Sequence, residues 1–379
     1  MIGEQPLPEG WRRVKMGEVC ASTEKRDPRD APDLIFRYVD ISSIDNRLKR
    51  IVETRTILGK YAPSRARQIM KANDVLIATT RPNLNAVVLV PKELHDEICS
   101  TGFCVSRPTE PIEPSFLFAF VQSQYFIDMI SGQVRGMLYP AVTDNQIRNV
   151  YLPLPPLAEQ RRIAARVQEL MQEVERARAA CKRQLEAVKA LPAAYLREAF
   201  ESEEAKRWEK KRLGEVCRFT SGKFIQKERV KSQGVYPVYG ANGIIGFTDE
   251  KIFEKEVIVI GRVGSCGTVN KTFGPAWITD NTIILQPLSQ ISFDFLYLAL
   301  KSLKLEDFQA ASVQPLITQG DLKPLLVPLL PLSVQNCIAA DLKEKMTQAE
   351  SLCASIEKQL EAINALPQAI LRKAFRGEL

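Results

Sequence analysis

The sequence predicts an α+β protein in which two globular domains are joined by two long antiparallel α-helices that form a coiled coil. The main observation is an internal duplication: residues 152–200 align with residues 327–375 without a gap, and 24 of the 49 aligned pairs are identical. Before each copy, the chain mixes short β-like runs with one helical segment. A twofold axis relates two such copies most simply, which gives a pseudo-twofold internal repeat with antiparallel helices.

Each repeated segment is predicted to be one long helix. Its apolar positions recur every three or four residues, which is typical of a helix that buries one stripe. The stripe comprises Ile163, Val167, Leu170, Val174, Ala177, Cys181, Leu185 and Val188 in the first copy, and Ile338, Leu342, Met346, Ala349, Leu352, Ile356, Leu360 and Ile363 in the second. About 34 residues at ~1.5 Å each would span ~50 Å. The stripes pack either on their own domains or on each other, and we favour the second arrangement.

Prolines mark the expected ends of both helices. Pro156 and Pro331 lie in the opening phrases LPLPPLAEQRRI and VPLLPLSVQNCI, where proline suits the first turn of a helix. Pro192 and Pro367 lie near the far ends and are expected to end or kink the helices, because proline lacks a backbone donor. The C-terminal AFRGEL follows the second copy directly, so we expect it to lie where the first domain begins.

A second, weaker repeat places the domain boundaries. Trp11 and GEVC at 17–20 match Trp208 and GEVC at 214–217, at an offset of 197 rather than 175. Each half is therefore predicted to hold a variable domain of unequal length, followed by a closely repeated helix. The expected organisation is a first domain at 1–150, a first long helix and linker at 151–207, a second domain at 208–325 and a second long helix at 326–379.

Both variable domains are predicted to carry their strands and helix in the same order. Runs of β-branched and apolar residues indicate strands, and a longer run with helical spacing follows them. The predicted strands are 74–80, 85–90, 256–262 and 276–287, and the predicted helices are 114–132 and 293–303. The phrases YPAVT and QPLIT then precede the long helices, with Pro140 and Thr143 matching Pro315 and Thr318.

Composition argues against several classes of protein. The chain has one histidine, His95, and eight scattered cysteines without a CxxC pair, so metal sites and histidine-based catalysis are disfavoured. Cys181 and Cys353 fall on the helical stripes and are expected to be small core residues. No apolar run is long enough to cross a membrane and no secretory signal is seen, so a cytoplasmic location is expected.

The loops between the predicted strands concentrate Arg, Lys and Asn, which clamp phosphates and read the edges of guanine and adenine. A net charge of +7 is compatible with such a polyanionic partner. The plain alternative is that these loops are only a solvated surface. The candidate DNA contacts are Arg47, Lys49, Arg65, Arg67, Arg81, Asn83 and Asn85 in the first domain, and Lys223, Lys227, Tyr239, Asn242, Arg262 and Ser265 in the second.

These features together resemble the specificity (S) subunit of type I restriction-modification systems. The resemblance covers essentially the whole chain, with its motifs, their order and the duplication in agreement. The resemblance rests on the segments LPLPPLAEQRRIA, LPLSVQNCIA, LRKAFRGEL, YGANGIIGF, IGRVGSCG, WITDNT, VLIATTRPNLNAV, STGFCVSRP and YPAVTDNQI. One departure is that Val334, Asn336 and Cys337 stand in the second copy where the first has Glu159, Arg161 and Arg162.

The resemblance implies a subunit that binds double-stranded DNA and performs no chemistry. Each variable domain would be a target-recognition domain that reads one half of an asymmetric bipartite site. The helices would set the spacer and dock two methyltransferase subunits, with restriction and translocation subunits completing a prokaryotic complex. S-adenosylmethionine, ATP and Mg²⁺ would be bound by the partner subunits. The departure at Val334 predicts that the two docking surfaces are not equivalent.

Two alternatives stay open from the residues alone. A stand-alone nuclease would need clustered carboxylates, for example around Asp74, Glu256 or Asp280, with a metal ion. A protein-binding scaffold would use only the helices and would have no affinity for DNA.

Overall fold

The computed structural model describes residues 7–132, 140–305 and 316–379, which form two compact units. The first unit runs to Cys181 and also includes Gln359–Leu379, whereas the second comprises Lys182–Lys358. Each unit therefore combines one globular domain with parts of both long helices. In each unit a run of mainly antiparallel strands precedes the helices of the globular domain, so the predicted α+β class is confirmed.

The first unit is built on two four-stranded sheets. Its strands are β1 (Arg12–Lys15), β2 (Cys20–Ala21), β3 (Ile35–Val39), β4 (Ile44–Asp45), β5 (Arg50–Ile51), β6 (Arg55–Leu58), β7 (Ala66–Met70), β8 (Val75–Ala78), β9 (Val87–Leu89), β10 (Glu97–Ser100), β11 (Phe103–Pro108) and β12 (Tyr151–Leu154). Its helices are α1 (Pro114–Val121), α2 (Gln124–Ser131), α3 (Asp144–Arg148) and the first part of α4 (Leu157–Glu201). The sheet orders are β6-β3-β10-β7 and β2-β11-β8-β9, with β1 paired to β12 and β4 to β5.

The second unit repeats this plan with fewer strands. After α5 (Glu203–Lys206), its strands are β13 (Lys210–Arg212), β14 (Cys217–Ser221), β15 (Tyr236–Gly240), β16 (Gly243–Thr248), β17 (Ile258–Gly261), β18 (Val269–Lys271), β19 (Trp277–Ile278), β20 (Thr282–Pro287) and β21 (Leu326–Pro328). Its other helices are α6 (Leu213–Val216), α7 (Phe293–Ser302), α8 (Gln319–Leu322) and the first part of α9 (Leu332–Ala374). The sheet orders are β14-β20-β17-β18 and β16-β15-β19, and β13 pairs with β21.

The duplication extends into the variable domains, where the sequences have diverged. The sheets β2-β11-β8-β9 and β14-β20-β17-β18 have the same order, and their first strands share a register: Cys20 lies opposite Pro108, and Cys217 opposite Pro287. Thr143 and Thr318 also cap α3 and α8 with the same reciprocal capping box. Pro315, the predicted partner of Pro140, lies outside the described residues.

The opening of each long helix is held by a buried glutamine. Gln160 and Gln335 are both 0% exposed. Gln160 Oε1 accepts the Glu113 N–H at 2.8 Å, and Gln335 Oε1 accepts the Ser292 N–H at 2.7 Å. Each Nε2 also donates to two backbone carbonyls. The sequence alignment shows that these glutamines match but gives no sign of this role.

The two long helices pair antiparallel within each unit, as predicted. In the first unit Arg178 Nε of α4 donates to Asn364 Oδ1 of α9 at 2.8 Å. In the second, Lys189 and Glu357 approach to 3.7 Å. Most of the stripe is buried or half-buried, and Cys181 is buried as predicted. The predicted core position is wrong for Ala177, which is exposed, and for Leu352, which is 46% exposed, and Cys353 is only half-buried.

Pro192 and Pro367, which were expected to end or kink the helices, do not end them. Helix α4 continues through Pro192 to Glu201, and α9 continues through Pro367 to Ala374. The residues after each proline pack into a domain core, for example Leu196 in the second unit and Leu371 in the first. Burial of these apolar side chains compensates for the hydrogen bond that proline removes.

The last turn of α9 meets the start of the chain, as expected. A Cβ built on Gly377 would lie 2.7 Å from Pro8 Cγ and 3.6 Å from Trp11 Cζ2. Its counterpart Trp208 packs edge-on against Phe200 at the end of α4, with ring centroids 6.5 Å apart. Each tryptophan therefore adjoins the end of a long helix, but only Trp208 follows that helix along the chain.

Two predicted elements are divided. The helix expected at 114–132 is broken after Val121, where Ser123 accepts the N–H of Phe126 and caps a second helix. The strand expected at 276–287 is two strands, β19 and β20, which belong to different sheets. In both cases a short polar residue redirects the chain within an apolar run.

Candidate nucleic-acid interface

In the second unit, the loops that follow several strands converge on one edge. Backbone hydrogen bonds connect them: Lys223 N to Ile278 O at 2.8 Å, Thr279 N to Tyr239 O at 2.9 Å, and Arg262 N to Asn281 O at 2.9 Å. The turn at 241–242 joins the same edge, because a Cβ built on Gly261 would lie 2.7 Å from Ala241 O. The structure therefore brings together the loops that carry Lys223, Asn242 and Arg262.

Glycine is required where these loops touch. A Cβ built on Gly222 would lie 2.0 Å from Thr279 O and 2.5 Å from Ile278 O, which no side chain can occupy. The neighbouring loop turns at Gly264 and Gly267, with φ of 78° and 83°, where glycine avoids the strain of the left-handed region.

The side chains of this edge differ in their availability. Lys223, Lys227 and Asn242 are exposed, whereas Arg262 and Ser265 are half-buried. Tyr239 is only 2% exposed, so its side chain packs beneath the edge. We therefore no longer propose Tyr239 as a DNA contact. Its burial also raises the pKa of its phenol. Phe224, 71% exposed beside Lys223, adds an apolar surface that the sequence did not single out.

In the first unit, the loops of Arg65 and Arg81 lie at the corresponding edge. Backbone bonds of 2.8 Å run from Thr101 N to Arg65 O, from Thr79 N to Gly102 O and from Arg81 N to Pro140 O. Arg65, Arg81 and Asn83 are exposed. The edge therefore presents two arginines and an amide from separate segments of the chain.

Loop 81–85 of this unit, sequence RPNLN, adopts an unusual backbone. Arg81 (φ 49°, ψ 58°) and Asn85 (φ 47°, ψ 55°) are both left-handed without being glycine, which costs of order 1 kcal/mol each. Asn85 is 6% exposed and donates from Nδ2 to Val121 O at 3.0 Å, so its side chain anchors the loop. We therefore remove Asn85 from the proposed DNA contacts.

Three predicted contacts already have partners within the protein. Arg47 pairs with Glu175 at 2.8 Å, and Arg67 pairs with Asp27 at 3.1 Å. Lys49 Nζ donates to the backbone carbonyl of Asn85. Burial lowers the pKa of Lys49 to about 8. The free cations of the two edges are therefore better candidates than these three for contact with phosphate.

The described residues include side chains of the types that can hold a metal ion. They contain no group of three or more His, Cys, Asp or Glu side chains that could hold a metal ion. Asp74, considered for a nuclease, is 1% exposed and bound by Arg107 at 2.9 Å, so it is structural. Burial raises the pKa of Cys20, Cys104 and Cys217 to about 12, which keeps these thiols protonated.

Comparison with known proteins identifies the fold's family. Residues 8–185 and 205–363 match the family described as the type I restriction modification DNA specificity domain. The chain belongs to this family. Each match covers one globular domain with part of a long helix, in agreement with the duplication seen in the structure.

Relatives and solved structures support the family assignment. The HsdS subunit from Thermoanaerobacter tengcongensis is 36% identical, covers 100% of this chain and 99% of its own, and superposes with a TM-score of 0.76. A structure described as the basis of complex assembly and conformational transition of the type I R-M system is 36% identical, with a TM-score of 0.85 and 99% and 100% coverage. The family predicted from the sequence is confirmed.

Curated relatives match over differing spans. The EcoprrI specificity subunit of Escherichia coli is 30% identical over 148 residues, which are 38% of this chain and 37% of that protein. The EcoKI specificity subunit of Escherichia coli K12 is 23% identical over 355 residues, covering 82% of this chain and 76% of that protein.

Among the described residues, none of the helices is long and apolar enough to cross a membrane.

Proposed function

We propose that this chain gives a type I restriction-modification complex its DNA specificity, with each unit reading one half of a bipartite site. The observation that carries the proposal is the duplicated edge, which presents exposed cations from converging loops in both units. Arg81 and Arg65 provide them in the first unit and Lys223 in the second, with exposed Lys227 four residues further along the same segment. Phosphate contacts would give salt-dependent affinity, and the loop side chains between them would read bases.

The two half-sites would differ in sequence. Loop 81–85 (RPNLN) and its counterpart at 262–267 (RVGSCG) follow corresponding strands, β8 and β17, but carry different side chains. Different donors and acceptors at corresponding places select different bases. The full site is therefore asymmetric, with α4 and α9 setting the length of the gap between its halves.

The long helices would also dock two methyltransferase subunits, and restriction and translocation subunits would join that core. The two docking surfaces have unlike chemistry. At the start of α4, Arg161 pairs with Glu113 at 3.3 Å and Arg162 with Glu159 at 2.7 Å. The matching stretch of α9 instead exposes Val334 at 42%. One partner would meet an ionic surface and the other an apolar one, so their affinities would differ.

The chain would perform no catalysis itself. S-adenosylmethionine would be bound by the methyltransferase subunits, and ATP with Mg²⁺ by the restriction subunits, in the cytoplasm of a prokaryotic cell.

The test is to co-express the chain with its methyltransferase and map modified bases across the genome by single-molecule sequencing. We expect one asymmetric bipartite motif with a fixed gap. Methylation without a motif, or a motif unchanged when this chain is omitted, would contradict the proposal.

Assays of the purified chain separate the two alternatives. DNA cleavage by the chain alone with Mg²⁺ would favour a nuclease. Tight binding of the methyltransferase without any affinity of the complex for DNA would favour a scaffold.

A further inference from the structure

The first unit contains a hairpin that the second unit lacks. Strands β3 and β15 correspond, because each pairs in parallel with a later strand, β10 or β19, and antiparallel with the next long strand, β6 or β16. Only residues 241–242 separate β15 from β16, whereas the hairpin β4–β5 lies between β3 and β6. The hairpin is therefore an addition to the shared framework.

The tip of this hairpin is firmly structured. Asp45 Oδ1 accepts the backbone N–H groups of Arg47 and Leu48, both at 2.8 Å, and the Lys49 N–H donates to Asp45 O at 2.8 Å. These N–H donors lower the pKa of the Asp45 carboxyl, so it is ionised at neutral pH. Lys49 closes the turn with φ of 52°. The tip thus fixes the backbone from which Arg47 and Lys49 project.

The two basic side chains reach different elements. Lys49 Nζ donates to the carbonyl of Asn85, the last residue of loop 81–85. The guanidinium of Arg47 lies 2.8 Å from Glu175 of α4. The hairpin therefore links a candidate DNA-reading loop to a long helix.

The helix side of the link continues to the second long helix. Glu175 also accepts a hydrogen bond from Arg178, which is 8% exposed. Arg178 Nε in turn donates to Asn364 Oδ1 of α9 at 2.8 Å. The anchor of the hairpin is thus joined to both helices through a partly buried polar network.

A cavity of about 750 Å³ lies between the hairpin and the helices. Its walls include Leu48 of the hairpin, Phe118 of α1, Met171 of α4 and Leu371 of α9. Open space separates the tip of the hairpin from the helices, whereas its base is anchored in the core of its own domain through Ile44 and Ile51. The tip is therefore tied to loop 81–85 and to α4 mainly by the two polar contacts of Lys49 and Arg47.

We infer that the hairpin is a strut, and that Arg47 and Lys49 are positioning residues that hold loop 81–85 in place relative to α4 and α9. The inference rests on the proposed function, because the place of this loop matters only if the unit reads DNA. It replaces our expectation that these two residues touch DNA. The second unit needs no strut, since glycines shape its corresponding loop.

The test measures how well the methyltransferase complex discriminates between half-sites. Dissociation constants are compared for a cognate duplex, a duplex with one substitution in the first half-site, and one with a substitution in the second. For Lys49→Met we expect discrimination at the first half-site to fall about tenfold, within the range that one base contact supplies. Discrimination at the second half-site should stay unchanged. Lys49→Arg should restore discrimination at the first half-site. Arg47→Gln, at an exposed position, should weaken discrimination at the first half-site without destabilising the fold.

A direct phosphate contact would behave differently from a strut. Loss of such a contact weakens binding to all sequences alike and lowers the salt slope by about one. If Lys49→Met does this, or if both folded variants discriminate like wild type, the strut is refuted. Loss of discrimination at both half-sites would equally count against it. A wild-type complex with no sequence preference would remove the proposed function, and the strut with it. Exposed Lys92→Met is the matched control.

Discussion

Loop 81–85 of the first unit and loop 262–267 of the second follow corresponding strands but are built by different means. The first turns through left-handed Arg81 and Asn85, whose strain is offset by hydrogen bonds to Pro140, Val121 and the hairpin. The second turns at Gly264 and Gly267, where no such strain arises. A loop without glycine carries more side chains for recognition, but it requires support from its surroundings.

The framework that surrounds these loops shows the opposite tendency. There the two units share the glutamine contacts, the threonine capping boxes and the register of the first sheet. The framework is thus conserved between the halves of one chain, while the loops at the reading edge have diverged. Substitutions can test whether the framework contacts shared by the two units contribute equally to stability. They can also test whether the diverged loops of the two units act independently of each other.

The largest effect is expected at the shared glutamines. Gln160→Leu removes three hydrogen bonds and leaves buried backbone groups without partners, which costs about 3 kcal/mol or more. Gln335→Leu should cost the same in the second unit, because its contacts are duplicated. Urea denaturation measures both, with exposed Gln184→Leu as the control. A cost confined to one copy would show that the duplicated contacts are not equivalent.

The glycines of the second unit should give the next largest effect. Gly222→Ala places a Cβ 2.0 Å from Thr279 O, and the backbone shift it forces should cost about 2–3 kcal/mol. Gly264→Ala meets no atom within 4 Å and should cost only about 1 kcal/mol from its positive φ. Thermal denaturation ranks the two. Equal losses would mean that the close approach at Gly222 costs no more than the positive φ at Gly264.

A smaller effect is expected from the titration of Lys49. Its folded pKa of about 8 lies below its ordinary value of 10.5, so the unfolded chain binds this proton more tightly. Stability should therefore rise with pH between 8 and 10.5, by about 1 kcal/mol from pH 8.5 to 9.5 relative to Lys49→Met. Urea denaturation at these two pH values, with Lys92→Met as control, measures the difference. A parallel pH response in wild type and Lys49→Met would contradict the burial of this ammonium.

The sequence was most informative where its own duplication supplied a comparison. The helices α4 and α9 and the strands β8, β17 and β20 follow from the pattern of apolar residues, and the antiparallel pairing of the helices follows from the duplication. The continuation through Pro192 and Pro367 could not be predicted, because it depends on the burial of later residues in a domain core.

The candidate site was predicted less completely. Residue type identified the loops of Arg65, Arg81, Lys223 and Arg262, which do lie at the two edges. Residue type does not distinguish a free cation from one with a partner, as Arg47 shows. Residue type also does not show which side chains are buried, as Tyr239 and Asn85 are. Pairing and burial both depend on neighbours that are distant in sequence.

The central claim is that each unit reads its own half of one DNA site. The most direct measurement is to map methylated motifs genome-wide by single-molecule sequencing in cells that carry the complex with wild-type chain, with Arg81→Ala or with Arg262→Ala. The account predicts that Arg81→Ala relaxes bases in one half of the motif and Arg262→Ala relaxes bases in the other, with the gap unchanged. Relaxation of the same half by both variants, or of neither half by either, would contradict it.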